Sequence, residues 1–160
     1  MNRQALFSDG TADYVCPPEP AAGDKVTIRL RTAQNDIDEA VIVSGNERIP
    51  MVKKETRGEF DYYFAEKLLG KQLFRYHFEI KSQNETCYYN RCGAFDEIVD
   101  VYAFAIAPGF STPDWAKGAV MYQIFVDRFC NGDTNNDVET GEYLYIGAPV
   151  TKVTDWNKYP

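Results

Sequence analysis

Apolar and polar side chains alternate in several short segments before residue 108, and this pattern constrains the fold more than any other feature of the sequence. In residues 25–31, Val26, Ile28 and Leu30 alternate with charged or hydroxyl side chains. Successive side chains of a β-strand point to opposite faces, so a period of two predicts a strand with one buried face. The same period recurs in residues 60–65, 74–80 and 101–106, and residues 40–43 form a short apolar run.

The alternation also predicts which side chains share a face. In residues 60–65 we expect Phe60, Tyr62 and Phe64 to form the apolar face and Tyr63 to lie on the opposite one. In residues 74–80 we expect His77 to lie on the polar, solvated face between Arg75 and Glu79. The remaining apolar sets are Phe74, Tyr76, Phe78 and Ile80, and then Tyr102, Phe104 and Ile106.

Turn-forming residues separate these segments at short intervals. They are Pro17-Pro18, Gly23-Asp24, Gly45-Asn46, Arg57-Gly58, Leu69-Gly70 and Cys92-Gly93. Glycine and proline interrupt regular structure, and several short antiparallel strands with regular turns are typical of a two-sheet sandwich. The sequence therefore predicts an all-β, immunoglobulin-like antiparallel β-sandwich over residues 1–108.

The character of the sequence changes after this region. Residues 109–117 continue the Gly- and Pro-containing stretch that begins at Pro108, and their composition predicts a linker. Residues 119–126 are apolar with hardly any alternation, as in a strand buried on both faces of a parallel sheet. Such a strand needs neighbouring strands and covering helices, which residues 118–160 do not supply. We therefore expect residues 118–160 to be the start of an interrupted second domain.

Charge and hydropathy exclude two classes of partner. The formal net charge is −7, and an acidic surface repels nucleic acid and anionic lipid. No apolar run approaches the ~18 residues of a membrane span. No signal peptide is recognisable at the N-terminus, so we expect a cytoplasmic protein with four free, mostly buried thiols. A disulfide between Cys87 and Cys92 is the alternative.

Residues 115–129 and 131–137 resemble the opening of the catalytic barrel in neopullulanases, cyclomaltodextrinases and maltogenic amylases of glycoside hydrolase family 13. The motif reads WAKGAVMYQIFVDRF, followed after one residue by NGDTNND. Residues 23–29 and the run Tyr88-Tyr89-Asn90-Arg91 resemble the N-terminal sandwich of the same enzymes, carbohydrate-binding module family 34. One departure is Val126-Asp127, where many relatives have Pro-Glu. The resemblance implies that residues 118–160 hold the first strand and loop of a truncated (β/α)8 barrel.

The resemblance implies retaining hydrolysis of α-glucosidic bonds in starch, maltooligosaccharides, cyclodextrins or pullulan. That chemistry uses two carboxyl groups ~5–5.5 Å apart. In the family these groups come from later barrel strands, so we expect this chain to lack catalytic residues, to be inactive alone, and to assist the binding of α-glucan oligosaccharides. The alternative is a non-catalytic module that forms a homodimer through the sandwich and shapes the partner's active site.

A polar loop is the candidate metal site. Asn131, Asp133, Asn136 and Asp137 are oxygen donors within seven residues, and Ca²⁺ prefers six to eight oxygen ligands. The resemblance implies that these four positions bind calcium in the intact enzyme, with further ligands from a later segment, and we expect weak binding by this chain. A plain surface turn is the alternative interpretation of the same residues.

Aromatic side chains of the sandwich are the candidate sugar-binding residues. Flat rings stack on the apolar faces of sugars while polar neighbours bind the hydroxyl groups. We select Tyr63, together with Tyr88 and Tyr89, one of which must point outward from a strand, and we add Asn90 and Arg91 as hydroxyl partners. The alternative is that these tyrosines pack within the sandwich.

Overall fold

The computed structural model describes residues 1–83, 85–125 and 129–155. The chain divides into two compact units, Met1–Asp114 and Trp115–Pro160. The strands are β1 (Val15–Cys16), β2 (Lys25–Ala33), β3 (Glu39–Ser44), β4 (Glu47–Pro50), β5 (Val52–Arg57), β6 (Phe60–Leu68), β7 (Phe74–Ser82), β8 (Glu85–Asn90), β9 (Gly93–Phe95), β10 (Phe104–Ile106), β11 (Leu144–Tyr145) and β12 (Ala148–Pro149). Short 3-10 helices occupy Arg3–Ala5, Asp100–Tyr102, Asp114–Ala116 and Thr134–Asn136.

Two antiparallel sheets form the first unit. One has four strands in the order β1-β2-β6-β5. The other has six, in the order β4-β3-β7-β8-β9 with β10 paired to β7. This arrangement confirms the predicted all-β, immunoglobulin-like sandwich of antiparallel strands.

The hydrophobic core draws on both sheets, as the alternation predicts. Val26, Ile28 and Leu30 of β2 have no solvent exposure. Phe78 and Ile80 of β7 are equally inaccessible, and they belong to the same buried cluster. The ring of Tyr76 stacks on Phe74 and on Phe104 of β10, with centroids 5.3 Å apart in both pairs. Burial of these side chains is the main stabilising contribution to the sandwich.

The face prediction for β6 is wrong. Asp61, Tyr63 and Ala65 face the core, and Tyr63 is only 8% exposed, whereas Phe60, Tyr62 and Phe64 form the half-buried outer face. Asp61 tolerates burial because its carboxylate accepts hydrogen bonds from Asn35 N at 2.8 Å, Thr56 Oγ1 at 2.6 Å and Lys53 Nζ at 3.0 Å. Alternation separates the two faces of a strand, but both faces of β6 carry aromatic rings, so the pattern does not show which face is buried. The buried face is the one that carries Asp61, because donors from other segments satisfy its carboxylate.

Two further local predictions need correction. Tyr102 lies at the end of a 3-10 helix rather than on a strand, and only Phe104–Ile106 pairs with β7. All four cysteines are free, which excludes the Cys87–Cys92 disulfide in this structure, but Cys87 alone is buried. The expectation of mostly buried thiols is therefore wrong.

The second unit contains no strand over residues 119–125, where the sequence predicts one. These residues are exposed; Val120 and Met121 are 97% and 89% accessible. A strand forms only when neighbouring backbone satisfies its hydrogen bonds, and none pairs with this segment in the described residues. Residues 126–128 of the predicted barrel opening, which include Asp127, and residues 156–160 lie outside the described residues.

The second unit contains a short hairpin that the sequence analysis does not predict. Strands β11 and β12 pair through a turn in which Ile146 and Gly147 both have positive φ angles, 50° and 80°. Two consecutive left-handed residues characterise a tight hairpin turn that follows the twist of its strands. Among the residues that the structure describes, none forms a helix of the length and apolarity that a membrane crossing requires.

Candidate functional site

The outer face of the six-stranded sheet carries the candidate site, centred on Tyr88 of β8. Cys87 and Tyr89 point into the core, and Tyr88 between them is half-buried on the opposite face. This confirms that the pair Tyr88-Tyr89 places one ring outward. Tyr89 packs beside Phe78 and Phe104, and burial raises the pKa of its hydroxyl. Tyr88 is therefore the residue of the pair that a ligand can reach.

Three rings form a row at this edge of the sheet, which we name the aromatic strip: Tyr88, Phe95 and Tyr102. Phe95 of β9 is the cross-strand partner of Tyr88. Tyr102 stacks on Phe95, with centroids 6.4 Å apart and an angle of 27° between the ring planes. Sequence reasoning missed Phe95 and Tyr102 as site residues, because the β8–β9 hairpin places Phe95 opposite Tyr88 and the following 3-10 helix places Tyr102 on Phe95.

The turn between β8 and β9 explains the role of Asn90. Its side chain is 2% exposed, and its Oδ1 accepts a hydrogen bond from Cys92 N at 2.9 Å. Gly93 follows with a φ of 125°, a conformation that L side chains rarely adopt. Asn90 thus shapes the hairpin that carries Phe95, a use typical of Asn in turns. Arg91 is exposed at the tip, and its backbone N donates to Tyr102 O at 3.2 Å.

His77 lies beneath the strip, contrary to the expectation of a solvated residue. It is 9% exposed, and its ring meets that of Tyr88 edge-on, with centroids 6.0 Å apart. Its Nε2 is buried and has no hydrogen-bond partner among the described residues. Burial lowers the pKa of His77, against an opposing effect of the Asp100 and Glu79 charges. The alternation in β7 did not predict this burial because Val43 of β3 and Tyr88 of β8 flank the ring from neighbouring strands.

Charged groups border the strip on one side. Glu79 is the cross-strand partner of Tyr88, and it accepts hydrogen bonds from Arg48 Nη1 and Nη2 at 3.0 and 2.8 Å. The hydrogen bonds from the Arg48 guanidinium lower the pKa of Glu79; burial opposes this effect, and the Lys81 ammonium adds a smaller lowering. The ion pair holds an ionised carboxylate and planar N–H donors beside the Tyr88 ring.

The five predicted sugar-binding residues therefore do not form one site. Tyr88 and Arg91 lie at or beside the aromatic strip, whereas Tyr89 and Asn90 are buried behind it. Tyr63 is on the other sheet and belongs to the core. Its ring is not accessible for stacking on a sugar.

The predicted metal ligands lie together in an exposed loop of the second unit. Asn131 Nδ2 donates to Asp137 Oδ1 at 2.6 Å, and Asn131 Oδ1 accepts from Asp133 N at 3.2 Å. Asp133 begins the 3-10 helix Thr134–Asn136, and its Oδ1 accepts from Asn135 N at 3.0 Å. Lys152 Nζ lies 3.7 Å from Asp137 Oδ2. Within the described ranges, no group of three His, Cys, Asp or Glu residues is placed to hold a metal ion.

Comparison with known proteins adds a family match. Residues 1–107 match the family model described as the alpha amylase N-terminal Ig-like domain. An amylopullulanase of Thermoanaerobacterium thermosulfurigenes is 34% identical over 155 residues, covering 84% of this chain and 8% of that enzyme. A cyclomaltodextrinase of Geobacillus thermopakistaniensis is 31% identical over 152 residues, covering 83% of this chain and 25% of that enzyme.

Solved structures agree with the sequence comparison. A cyclomaltodextrinase aligns with a TM-score of 0.58 and 28% identity, covering 87% of this chain and 26% of the other. A maltogenic amylase from S. marinus aligns with a TM-score of 0.54 and 26% identity, covering 86% and 20%. The chain thus spans about a quarter or less of the length of these relatives.

Proposed function

The chain belongs to the family of alpha amylase N-terminal Ig-like domains, and we propose that it is the non-catalytic N-terminal portion of an enzyme that hydrolyses α-glucans. In this proposal the sandwich assists the binding of α-glucan oligosaccharides, and the chemistry takes place elsewhere in the enzyme. The relatives whose names indicate action on such glucans are the amylopullulanases and cyclomaltodextrinases. We expect the purified chain to leave pullulan and cyclodextrin intact.

The observation that carries this proposal is the aromatic strip. Tyr88, Phe95 and Tyr102 provide neighbouring apolar ring surfaces at the edge of the six-stranded sheet. Sugar rings have apolar C–H faces that stack on aromatic side chains, while their hydroxyl groups need hydrogen-bonding partners. The Arg48–Glu79 pair and the exposed Arg91 supply donors and acceptors beside the rings. A neutral glucan also suits a chain of net charge −7, because it is not repelled.

A maltoheptaose titration tests this role. We expect saturable chemical-shift changes at Tyr88, Phe95 and Tyr102, and loss of binding in Tyr88→Ala. Tyr14→Ala is the matched control, because Tyr14 is a half-buried tyrosine beside Phe7, outside the strip. Undiminished affinity in Tyr88→Ala, or equal loss in the control, would contradict the proposal.

Calcium binding by the polar loop is part of the proposal. The donor chemistry fits calcium, since Asp133 and Asp137 supply carboxylates and Asn131 and Asn136 supply amide oxygens. The number of donors does not suffice for the six to eight oxygens that Ca²⁺ prefers. Bound calcium would neutralise the two acidic side chains and order the loop. We therefore propose weak binding by these four residues, which Asp133→Asn should abolish in a calorimetric titration with CaCl₂.

Homodimer formation through the sandwich is the second candidate function. It is favoured by the outward-facing rings of the aromatic strip, since Tyr and Phe are enriched in protein interfaces. Sedimentation velocity distinguishes it from glucan binding. A dimer that dissociates in Tyr102→Ser, without any shift on addition of maltoheptaose, would replace the glucan-binding role.

A further inference from the structure

The outer face of the four-stranded sheet is lined by alternating rows of cations and aromatic rings. We name it the arginine–aromatic face; its members are Phe7, Arg29, Arg31, Lys54, Arg57, Phe60, Tyr62 and Phe64. The register pairs Arg29 with Phe64 and Arg31 with Tyr62 across β2 and β6. This face belongs to the opposite sheet from the aromatic strip.

Each ring on this face lies close to at least one cation. The guanidinium carbon of Arg29 lies 4.8 Å from the Phe64 centroid and 5.9 Å from that of Tyr62. That of Arg31 lies 4.3 Å from Phe60 and 5.1 Å from Phe7. On strand β5, the guanidinium carbon of Arg57 lies 5.6 Å from the Tyr62 centroid, and Lys54 Nζ lies 5.7 Å from the Phe64 centroid.

These contacts determine which ligands the face can bind. Because cationic side chains already cover the rings, the face has no free aromatic surface on which a neutral sugar could stack. The guanidinium groups that lie over the rings keep N–H donors for other acceptors, since the cation–π contact is made to the ring face. The face therefore offers positioned positive hydrogen-bond donors.

The donors of Arg29 are incompletely used. Its Nε is buried and has no hydrogen-bond partner among the described residues. Arg57 pairs with Glu55, but within the described ranges Arg29, Arg31 and Lys54 have no carboxylate within 4.0 Å. Because the Arg29 Nε is shielded from solvent, a bound partner can reach only the Nη groups of the Arg29 guanidinium.

Charge and spacing specify the partner. Arg29, Arg31 and Lys54 lie on one face without a carboxylate partner in the described residues, although Arg31 Nε donates to Ala5 O at 3.2 Å. On a chain of net charge −7 the complementary surface is therefore negative. Arg29 and Arg31 are two residues apart on one strand, which places them about 6.6 Å apart. An extended acidic segment carries carboxylates at the same interval when Asp or Glu occupies every second position. The carboxylate geometry suits bidentate binding by arginine.

We propose that the arginine–aromatic face binds an extended acidic segment of another protein, with alternate carboxylates on Arg29 and Arg31. Arginine and aromatic residues dominate the binding energy of protein interfaces, in agreement with such a partner. A nucleic acid is disfavoured because its many phosphates would meet the repulsion of the acidic chain as a whole.

The test uses the whole chain and a fluorescein-labelled dodecapeptide of alternating Glu and Val. We expect an anisotropy increase that saturates, weakens with added salt, and falls at least tenfold in affinity in the double variant Arg29→Gln/Arg31→Gln. Arg29→Lys keeps the positive charge but loses the planar guanidinium with its paired N–H donors, and we expect an intermediate loss of peptide affinity. Arg75→Gln, an exposed arginine of the other sheet, is the matched control and should bind as the native chain does.

Several results would overturn the proposal. Binding of a Gln–Val peptide as tight as that of the Glu–Val peptide would show that carboxylates are not recognised. Binding of heparin fragments or duplex DNA without binding of the peptide would assign the face to a different polyanion. Self-association that is lost in Arg29→Gln/Arg31→Gln would assign it to a second copy of the chain. Thermal unfolding and unchanged maltoheptaose binding verify that each variant is folded.

Discussion

The imidazole ring of His77 meets the phenol ring of Tyr88 edge-on, with centroids 6.0 Å apart and ring planes inclined by 72°. A nearly buried histidine thus supports the ring at the centre of the candidate glucan site. The arrangement favours a neutral imidazole, because burial disfavours its charged form and its Nε2 has no acceptor among the described residues. Protonation of His77 should therefore affect both stability and the position of Tyr88.

The pH dependence of unfolding follows from this contact. The pKa of His77 is lowered in the folded chain, so the unfolded chain, with a histidine pKa of about 6.5, binds more protons at mildly acidic pH. The free energy of unfolding should fall as pH decreases from 7 towards 5. Urea titrations at pH 7, 6 and 5 measure it. His77 is the sole histidine of the sequence, so His77→Gln should flatten this part of the profile. If the free energy of unfolding of His77→Gln fell equally steeply between pH 7 and 5, the pH dependence would not be due to His77.

Substitutions at Tyr63 separate a core role from a binding role. Tyr63→Ala should destabilise the sandwich by about 3–5 kcal/mol, the range for losing a buried aromatic ring. Tyr63→Phe keeps the ring and should leave maltoheptaose affinity unchanged, because the side chain is buried in the core. Denaturant unfolding and calorimetry measure the two effects. A selective loss of maltoheptaose binding in Tyr63→Phe would restore Tyr63 as a binding residue.

The buried carboxylate of Asp61 should be essential to the four-stranded sheet. Asp61→Asn replaces an acceptor that serves Asn35 N, Thr56 Oγ1 and Lys53 Nζ with an amide that cannot accept all three bonds. We expect a loss of about 2–4 kcal/mol in denaturant unfolding, since buried donors are left unpaired. Glu59→Gln, at the exposed turn before β6, is the matched control and should be nearly neutral.

Asp61 should also contribute to acid lability. Burial by itself would raise its pKa, but the hydrogen bonds from Thr56, Asn35 and Lys53 outweigh burial and lower it. Its stabilising contribution is therefore present above the unfolded-state pKa of about 3.9, and it is lost as pH falls further through the folded-state pKa. The acid-unfolding profile of Asp61→Asn should be correspondingly shallower below pH 4. An equally steep profile would contradict the assignment.

Lys152 should weaken calcium binding by the polar loop. Its Nζ lies 2.7 Å from Glu139 Oε1 and 3.7 Å from Asp137 Oδ2, so it competes with a cation for the loop carboxylates. Without this positive charge near the loop carboxylates, Lys152→Met should tighten calcium binding by roughly 2- to 5-fold in a CaCl₂ titration. Lys71→Met, at an exposed turn of the sandwich, should have no effect. Weaker calcium binding in Lys152→Met would show that Lys152 does not compete with the ion.

The candidate site was only partly predictable from sequence. The outward ring in Tyr88-Tyr89 follows from the period of two, because adjacent residues of a strand must face opposite ways. Phe95 and Tyr102 follow from no local pattern, since the β8–β9 hairpin places Phe95 opposite Tyr88 and a 3-10 helix places Tyr102 on Phe95. Residues 119–125 show the converse: their sequence is that of a buried strand, yet without neighbouring strands in the described residues they form none.

The sequence by itself determined the all-β sandwich and the buried sides of β2 and β7, because Val26, Ile28, Leu30, Phe78 and Ile80 leave only one apolar face on each strand. Only the tertiary structure decided the orientation of β6 and the burial of His77. Strand β6 has rings on both faces. Its Asp61 face can be buried because Asn35, Lys53 and Thr56 donate hydrogen bonds to the Asp61 carboxylate. Burial of a polar group depends on hydrogen-bond partners from other segments of the chain. The alternation of side chains along one strand contains no information about those partners.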